Sequence, residues 1–466
     1  MTKIGIPFAK WDDPGDFDAI VIGSGIGGLG AAALLAKHGG RKVLVLERHT
    51  TAGGFTHTFT RKEWEWDVGV HYIGQVHHEG SMLRRLFDDV TDGNLQWEPM
   101  GEVYDTVVIG GDRWDYLSGR ENWRQRMHSY FPDETEAIDR FLDLVSEATR
   151  SARSFFAEKA MPGIPSLLIG PWMRRGFLRH SDRTLGEVLD TLTTDPTLKA
   201  VLAAQFGDHG LPPAQASFAI HAMIFNHYLG GAAYPVGGSA NIARTVAPVI
   251  AATGGAIVIG AEVASVLVEN GRAAGVRMSK GGEIRAPLVL SDAGVPNTAH
   301  RLLPEGAPGR DALLATLKHT ARSASHICLY VGLDSTDRDL GIDRSNLWVY
   351  HSADQDGDIQ RFLDDPDAPL PLIYISFPSS KDPDFSRRYP GKATIEIVSI
   401  APYDLFRDWE DTRWMKRGEE YTNLKEDLSR RLLDVLEREV PHVAGRIAYH
   451  ELSTPLSTRH FGGYPE

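Results

Sequence analysis

The sequence predicts an α/β protein in which a domain with a parallel β-sheet is interleaved with an α+β domain. Two observations predict this fold class. A strand, a glycine-rich turn, a helix and a second strand follow one another between residues 19 and 46, as in a parallel βαβ unit. After a long, mainly helical stretch, β-branched runs resume at residue 258, so the chain is expected to return to its first domain.

The βαβ unit is the clearest local pattern. Residues 19–22 form an apolar, β-branched run that stops at a glycine, as a buried parallel strand does. Residues 26–38 are rich in alanine and leucine and are followed by two glycines, which suit the left-handed conformation at a helix C-terminus. Residues 43–46 supply the second strand, and the crossover between the strands is expected to be right-handed.

The rest of the chain has a mixed pattern. Residues 106–116 predict a hairpin that turns at Gly110 and Gly111. Residues 131–180 are mainly helical by period, and the helical pattern continues, with interruptions, to residue 228. Residues 258–292 contain β-branched runs separated by glycines, which predicts a meander followed by a return strand.

Composition excludes several classes of protein. Sixty-two acidic and 49 basic residues give a formal net charge of −13, which would repel the phosphate backbone of a nucleic acid. The single cysteine, Cys328, allows no intramolecular disulfide and favours a reducing compartment such as the cytoplasm. Neither a secretory signal nor a membrane-spanning run is visible, so any membrane contact is expected to be peripheral.

A glycine fingerprint follows the first strand as Gly23-Ser24-Gly25-Ile26-Gly27-Gly28. In this pattern the first glycine permits a tight turn, the second lets a diphosphate approach the backbone, and the third lets the helix pack closely on the strand. The diphosphate would lie at the positive end of the helix. Glu47 ends the second strand, where a carboxylate accepts hydrogen bonds from ribose hydroxyls. The sequence therefore predicts a dinucleotide site.

The residues after Glu47 favour FAD over NAD as the dinucleotide. They run from Arg48 to a second glycine pair, Gly53 and Gly54, and then to Phe55 and Thr56. An NAD enzyme would be expected to have a helix in this place. Since no second fingerprint follows, the flavin would exchange electrons with a diffusible partner or return them within one catalytic cycle.

Several longer motifs extend this pattern through the chain. They are DAIVIGSGIGGLGAAALLAKHG, LERHTTAGGFTHTF, WDVGVHY, AQFGDHGLPP, HYLGGAAYPVGGS and STPLSTRHF. On these motifs, the chain resembles the phytoene-desaturase-related flavoproteins, and most closely the branch of carotenoid isomerase and retinol saturase. The resemblance implies a Rossmann-like FAD-binding domain of the glutathione-reductase-2 type. It also implies FAD and a lipophilic polyene or fatty acyl substrate that is saturated, desaturated or isomerised.

The resemblance also implies further flavin contacts and a division into domains. Val263 would lay its backbone on the adenine, and the strand end Ser291-Asp292-Ala293-Gly294 would return the chain to the flavin domain, with Ser291, Ala293 and Gly294 as cofactor contacts. That domain would comprise residues 16–75 and 234–300, with the substrate domain formed by 76–233 and 301–450. A final flavin segment would begin at 451. The family's closing Gly-Asp motif does not appear before the sequence stops at residue 466, so we expect a truncated sequence.

Six side chains are candidates for catalysis. Reduction of a carbon–carbon double bond needs a hydride and a proton. His71 and Tyr72 follow a segment that in the resembling proteins approaches the reactive side of the flavin, and they could orient substrate or relay that proton. Packing within a buried loop is an equally good interpretation. The other four lie on or after a helical stretch, where such a stripe more often belongs to the core; they are His221, His227, Tyr228 and Tyr234. No metal site is expected, since the histidine spacings match no compact set of ligands.

An apolar stretch between residues 154 and 173 is framed by basic residues. The basic residues are Arg150, Arg153, Lys159, Arg174, Arg175 and Arg179. The stretch could insert into a lipid interface while the basic residues meet anionic headgroups, and a lipophilic substrate would enter there. Alternatively, it is a helix pair packed on the substrate domain with a solvated basic face.

These patterns leave more than one function open. The first is an FAD oxidoreductase or isomerase of unsaturated lipids, with retinoids or carotenoids ahead of fatty acids as substrates. The second is a lipid carrier similar to the GDP-dissociation inhibitors, which share this fold and hold prenyl chains without a flavin. An amine oxidase would also share the flavin fold, but the downstream motifs disfavour it.

Overall fold

A five-stranded parallel sheet forms the centre of the first unit. We describe a computed structural model that covers residues 3–12, 15–320 and 324–463. In spatial order the strands are Ile6–Pro7, Ala256–Ile259, Val43–Glu47, Ala19–Ile22 and Val289–Ser291. All neighbouring pairs are parallel. The predicted strands at 19–22 and 43–46 are confirmed, and the second includes Glu47.

The parallel sheet is covered on both faces. Helices Ile26–Lys37 and Ala240–Ala251 pack on one face, where small alanines of the first helix let it lie close to the strands. The other face carries a three-stranded antiparallel meander. Its strands are Val263–Glu269, Arg272–Met278 and Glu283–Arg285. The predicted meander and return strand are therefore confirmed, and the first helix ends one residue before the predicted His38.

The second unit is built on a seven-stranded mixed sheet. In spatial order its strands are Ile447–Ser453, His326–Leu333, Ala393–Ile400, Leu372–Ser376, Asn346–Tyr350, Val103–Ile109 and Asp112–Leu117. Neighbours are antiparallel except for Asn346–Tyr350 and Val103–Ile109, which run parallel. The last two strands form the predicted hairpin at Gly110 and Gly111.

Alternation along these strands sorts side chains to two faces, because successive residues of a strand point in opposite directions. Ile395 and Ile397 join the core beneath helix Glu419–Glu439, whereas Glu396 and Val398 face the opposite side. Helices cover much of that opposite face. They are Arg120–Tyr130, Thr135–Lys159, Gly163–Ser181, Leu185–Asp190, Pro196–Ala203 and Phe218–Leu229.

Shorter elements join the two units. Strands Ile73–Gly74, Ala232–Pro235 and Trp97–Pro99 form a small sheet, and Thr58–Arg61 pairs with Trp64–Asp67. The remaining α-helices are Met82–Val90, Val295–Asn297, Arg310–Leu317, Asp337–Leu340, Gln355–Asp364, Pro378–Lys381, Phe385–Arg388 and Pro455–Gly462. Single-turn helices of other types include Gly54–Thr56, Ala204–Asp208 and Thr298–Leu302. The Ile6–Pro7 strand belongs to the parallel sheet although it precedes residue 16, the predicted start of the flavin domain. The predicted division into domains stays a prediction.

Two tryptophans connect the first unit to the mixed sheet. The indole nitrogens of Trp64 and Trp66 each donate a hydrogen bond of 3.0 Å, to the carbonyl oxygens of Leu333 and Val331 respectively. A Cβ on Gly332 would lie 2.7 Å from the Trp64 ring, so only glycine leaves room for that ring. The short hairpin is thereby fixed against a strand of the second unit.

Candidate functional site

A large cavity lies between the two units. Its volume is about 1990 Å³, and its wall runs from the glycine turn at residues 23–27 to Phe55, Val68, His326 and Tyr330. Ligand pockets usually measure roughly 300–1,000 Å³. The cavity is therefore large enough for a dinucleotide and a second molecule side by side.

The glycine turn leaves no space for side chains. A Cβ on Gly28 would lie 2.5 Å from the carbonyl oxygen of Gly23, and one on Gly54 would lie 2.8 Å from the Cα of Gly25. Helix Ile26–Lys37 begins after Gly25, which has no side chain to cap it. Backbone amides at the start of a helix attract anions. The turn therefore has the geometry of a diphosphate cradle.

Glu47 is fixed beside this cradle. Its Oε2 accepts hydrogen bonds from the backbone nitrogen of Ser24 at 2.9 Å and from the Ser24 hydroxyl at 2.6 Å, while Oε1 accepts from the nitrogen of His49 at 2.7 Å. The residue is only 8% exposed but lines the cavity. Each carboxylate oxygen has two lone pairs, and three of these four sites are used, so Glu47 can hold the turn and still accept one hydrogen bond from a ribose hydroxyl at Oε1.

Asp292 lies against the same amides and was not predicted as a functional residue. Its carboxylate accepts hydrogen bonds from the backbone of Gly28 and Gly25, and a Cβ on Gly25 would meet it at 2.6 Å. Burial raises the pKa of Asp292, and the nearby charge of Glu47 adds to the increase. A diphosphate entering the cradle would meet this negative group. The other cradle residues therefore fit a dinucleotide, whereas Asp292 opposes binding of its diphosphate.

The structure places the predicted cofactor residues in two layers. Those in the cavity wall are Gly23, Gly25, Ile26, Gly27, Glu47, Arg48, Gly54, Phe55, Thr56, Val263 and Ala293. The others, Gly28, Gly53, Ser291 and Gly294, support this wall from behind. The nitrogen of Gly53 donates to the carbonyl oxygen of Ser24 at 3.1 Å, and Gly294 has a φ of +81° where a helix begins.

Arg48 makes its contacts at the other end of the chain. Its Nη2 donates to the carbonyl oxygens of His460 at 2.8 Å and Phe461 at 3.0 Å. These carbonyls belong to the last helix, Pro455–Gly462. Arg48 therefore holds this helix at the edge of the cavity.

His71 lies three residues after Val68, which is part of the cavity wall. Its Nδ1 is 2.8 Å from Oε2 of Glu396, and its side chain is 19% exposed while that of Glu396 is fully buried. The imidazole also packs edge-on against Tyr374, with ring centroids 5.3 Å apart. His71 thus lies against a buried carboxyl group, although the two atoms lack hydrogen-bond geometry, and it is not itself among the residues of the cavity wall.

Tyr72 and Tyr228 form a stacked pair. Their ring centroids are 4.4 Å apart at an interplanar angle of 15°. The hydroxyl of Tyr72 donates to Oδ2 of Asp105 at 2.9 Å. Burial raises the pKa of both tyrosines well above the usual value, so both remain protonated at neutral pH.

The other three catalytic candidates have partners that explain their positions structurally. Nε2 of His221 lies 3.0 Å from the carbonyl oxygen of Leu202, within the helical core. Nε2 of His227 accepts a hydrogen bond of 2.8 Å from the nitrogen of Gly74. Tyr234 donates to the buried carboxylate of Asp67. Catalytic roles for the six residues stay predictions.

A set of buried titratable residues surrounds His71, and we call it the buried polar cluster. Its members are Asp67, His71, Asp105, Lys381 and Glu396. Nζ of Lys381 donates to the carbonyl oxygen of His71 at 3.0 Å and also to Asn346, whose Nδ2 donates to Oδ1 of Asp105 at 2.9 Å. The nitrogen of Asp67 donates to Oε1 of Glu396 at 2.7 Å. These hydrogen bonds therefore hold the segment of residues 67–71 against the mixed sheet.

Burial shifts the pKa of each member toward its neutral form. It raises the pKa of Glu396 to about 8, against the opposing effect of Lys381, and that of Asp67 to about 7. It lowers the pKa of Lys381 to about 7 and that of His71 to about 4. At neutral pH Glu396 therefore retains its proton and the His71 ring is uncharged. Such a pair can give up a proton.

Sequence reasoning missed Asp105, Lys381 and Glu396. A signal existed for two of them, since Glu396 and Asp105 are single acids within otherwise apolar or uncharged strands, Ala393–Ile400 and Val103–Ile109. Acids are rarely buried without a partner or a function. Lys381 offered no comparable signal, because it follows two serines in a short polar segment.

Within the described ranges, no helix is both long enough and apolar enough to cross a bilayer.

Comparisons with known proteins agree with this geometry. The family model of the NAD(P)-binding Rossmann-like domain matches residues 21–90. All-trans-retinol 13,14-reductase of Danio rerio is 36% identical over 97% of this chain and 77% of its own length. A Danio rerio protein named inactive all-trans-retinol 13,14-reductase is 32% identical over 98% and 77%. Prolycopene isomerase 1 from an Oncidium hybrid cultivar is 26% identical over 99% and 76%.

Solved structures share the fold at lower identity. An oxidoreductase from Methanosarcina mazei has a TM-score of 0.62 at 20% identity, covering 94% of this chain and 88% of its own. Cyclohexylamine oxidase from Brevibacterium oxydans has 0.60 at 15%, covering 97% and 87%. Rab GDI from Plasmodium falciparum has 0.51 at 13%, covering 94% and 89%. The fold is thus shared by an oxidoreductase, cyclohexylamine oxidase and a Rab GDI and does not separate them, whereas sequence identity to the retinol reductases is higher. The chain belongs to the family of the all-trans-retinol 13,14-reductases, related to the prolycopene isomerases, and its fold is the predicted Rossmann-like α/β fold.

Proposed function

We propose that this protein is an FAD-dependent oxidoreductase that saturates a carbon–carbon double bond of a lipophilic polyene, with a retinoid as the favoured substrate. The observation that carries the proposal is the near end-to-end similarity to retinol reductases, which exceeds that to the isomerases. Family membership alone is insufficient, because one relative of similar identity is named inactive. The site itself must therefore support the chemistry.

The cradle supports FAD as the cofactor. The amides of Gly25 and Gly27 would meet the diphosphate, Glu47 the adenosine ribose, and the backbone of Val263 the adenine; all four residues line the cavity. When bound, the flavin supplies hydride transfer, which no side chain of the protein can provide. Asp292 would have to turn away or be neutralised as the diphosphate enters.

The remaining cavity supports an apolar second ligand. Beyond the cradle, the wall includes the side chains of Phe55, Val68 and Tyr330 as well as charged ones such as Arg61 and Lys425. Phe55 lies against Gly69, where a Cβ would be only 3.2 Å from the Cβ of Phe55. The apolar part of the wall would exclude water from the reacting carbons. A flat, unsaturated chain would fit such a wall better than a charged amine.

We assign proton delivery to His71, with Glu396 as the reservoir. Saturation adds one hydride and one proton, so an acid must stand near the second carbon. In the required tautomer, Nε2 of His71 would carry a hydrogen and give it to the substrate. Nδ1 lies 2.8 Å from Oε2 of Glu396 and would take the carboxyl proton once the two groups turn into hydrogen-bond alignment, which they lack in this structure. Glu396 is left as a carboxylate. Lys381, whose pKa burial lowers to about 7, would stabilise that charge in its protonated form.

The other catalytic candidates act as positioning residues in this proposal. The stacked Tyr72 and Tyr228 hold the segment that carries His71, since Tyr72 is bonded to Asp105 of the mixed sheet. Tyr234 holds Asp67 beneath Glu396. Reducing equivalents would come from a diffusible donor. A substrate this apolar is stored in membranes, so we further propose that the protein works in contact with a membrane surface in the cytoplasm.

Product mass tests the proposal directly. The FAD-loaded full chain is reduced anaerobically and incubated separately with all-trans-retinol, a poly-cis carotenoid and a polyunsaturated fatty acid. We expect a gain of two hydrogens with retinol. Unchanged mass with altered retention would assign an isomerase, a loss of two hydrogens a desaturase, and either would overturn the saturase assignment.

Cofactor content tests the alternative of a lipid carrier. A carrier would purify without flavin absorbance and would bind a prenyl or retinoid chain without changing it. Stoichiometric flavin in the purified protein excludes that function, while a colourless protein that binds retinol unchanged would favour it over the enzyme.

A further inference from the structure

One helix exposes an unusually apolar face. In helix Gly163–Ser181, the side chains of Ile164, Leu167, Leu168 and Trp172 are 76%, 77%, 75% and 81% exposed. They recur at intervals of three and four residues and so share one face of the helix. An ordinary surface helix buries its apolar face. This one presents it to the outside, and we call these four residues the apolar face.

The helix is held in place by its opposite side. Phe177 is buried against Phe155 of the neighbouring helix Thr135–Lys159, with ring centroids 4.5 Å apart. Ser166 is bonded to Glu158 of the same neighbour. The apolar face is therefore fixed outward by these contacts and is not free to turn inward.

The charged residues of the segment that contains the apolar face are almost all positive. Between residues 150 and 180 there are six basic residues and one acid, Glu158, in a chain whose net charge is −13. Glu158 is buried and paired with Ser166, Lys159 and Arg174, so it offers no charge at the surface. Arg150, Arg153, Arg175 and Arg179 are exposed.

We propose that the apolar face docks on the surface of a bilayer that contains anionic phospholipids. Apolar side chains that enter the boundary between headgroups and acyl chains leave water, while neighbouring arginines pair with lipid phosphates. A second copy of the chain fits less well. A symmetric dimer would place the same six basic residues of each copy against each other. An apolar partner protein would not explain the surrounding positive charge.

The docking surface is separate from the cavity. The described walls of the cavity include no residue of helix Gly163–Ser181. In this proposal the helix orients the protein on the membrane. It does not form part of the described cavity wall. The docking proposal deepens the membrane contact proposed above. It requires neither bound flavin nor a polyene, so it can fail or succeed independently of the proposed reaction.

Vesicle flotation of the FAD-loaded full chain tests the proposal. Vesicles contain phosphatidylcholine alone or phosphatidylcholine mixed with phosphatidylglycerol, and no retinoid is present. We expect binding to the anionic vesicles that weakens with salt, as screening requires. L167E/L168E should lower the bound fraction by at least about tenfold. R175E/R179E should remove the preference for phosphatidylglycerol.

Met82→Glu is the matched control, because Met82 is 86% exposed at the start of another helix, where an acid is favourable. It should bind vesicles as the wild type does. Each variant should keep the wild-type melting temperature, flavin absorbance and activity on detergent-dispersed retinol. If the wild type self-associates and L167E/L168E does not, the apolar face contacts a second copy of the chain. Equal vesicle binding by the wild type and L167E/L168E would overturn the proposal.

Discussion

The diphosphate cradle and the buried polar cluster, which are the two parts of the proposed site, are built in opposite ways. The cradle comes mainly from one short segment, and its chemistry is that of backbone amides exposed by glycines. The cluster brings together side chains from positions 67, 71, 105, 381 and 396, which meet only in the folded protein. A site made of backbone can be recognised along the chain, whereas a site made of distant side chains depends on strand register.

Gly28→Val is expected to have the largest effect. Its Cβ would lie 2.5 Å from the backbone carbonyl oxygen of Gly23, which cannot move without distorting the strand. We expect loss of bound FAD and destabilisation by about 2–4 kcal/mol. Flavin absorbance and thermal melting measure both. Gly30→Ala is the control, because a Cβ there meets nothing within 4 Å; a flavin-loaded Gly28→Val protein would refute the cradle.

Glu396→Gln should lower the rate of proton transfer by about 100-fold while leaving FAD bound. In the wild type, activity requires the protonated carboxyl and should fall as the pH rises through about 8, the pKa to which burial raises Glu396. The variant should lose this alkaline decline, since an amide does not titrate. Rate profiles against pH for the reduced enzyme measure both effects.

His71→Gln should reduce the rate to a similar extent, because it interrupts the same path. Glu63→Gln is the matched control, since its side chain is 71% exposed. If the alkaline decline persists unchanged in Glu396→Gln, another group is the acid.

Asp292→Asn should have a smaller effect of the opposite sign. It removes a negative charge that faces the amides of Gly25 and Gly28, where the diphosphate would lie. We expect FAD to bind more tightly by about 1 kcal/mol, roughly fivefold in Kd. Fluorescence titration of the apoprotein measures it, with the exposed Asp311→Asn as control. Weaker binding in the variant would mean that Asp292 supports the cofactor.

Arg48→Lys should have the smallest effect. The structure shows Arg48 on the carbonyl oxygens of His460 and Phe461, so the substitution should cost about 0.5–1 kcal/mol of stability. The Kd for FAD should stay unchanged. A clear loss of FAD affinity would instead support the direct cofactor contact expected from the sequence.

Local pattern was sufficient to predict the parallel sheet and its first helix. The strands Ala19–Ile22 and Val43–Glu47 are continuous apolar runs, and helix Ile26–Lys37 lies between two glycine groups, so period and turn residues determine each element. The mixed sheet could be predicted only in parts. Two of its adjacent strands start at residues 103 and 346, and no local sequence pattern predicts that these strands pair.

The same limit explains the incomplete prediction of catalytic residues. His71 was identified because it lies close in sequence to the glycine segment. Its partner Glu396 lies in strand Ala393–Ile400, and only the two-sided alternation of that strand places the carboxyl opposite His71. The histidines at 221 and 227 looked equally promising in sequence, although their ring nitrogens face the backbone of Leu202 and Gly74.

The indole hydrogen bonds of Trp64 and Trp66 have a consequence for how the molecule comes apart. Each bond crosses from the first unit to the second. Separating the units would therefore leave a buried indole N–H and a buried carbonyl oxygen without a hydrogen-bond partner at each tryptophan. Neither half should survive alone. Heating in a calorimeter should give one endotherm whose van't Hoff and calorimetric enthalpies agree, and grafting either half onto a homologue should require the partner strand to be transplanted with it.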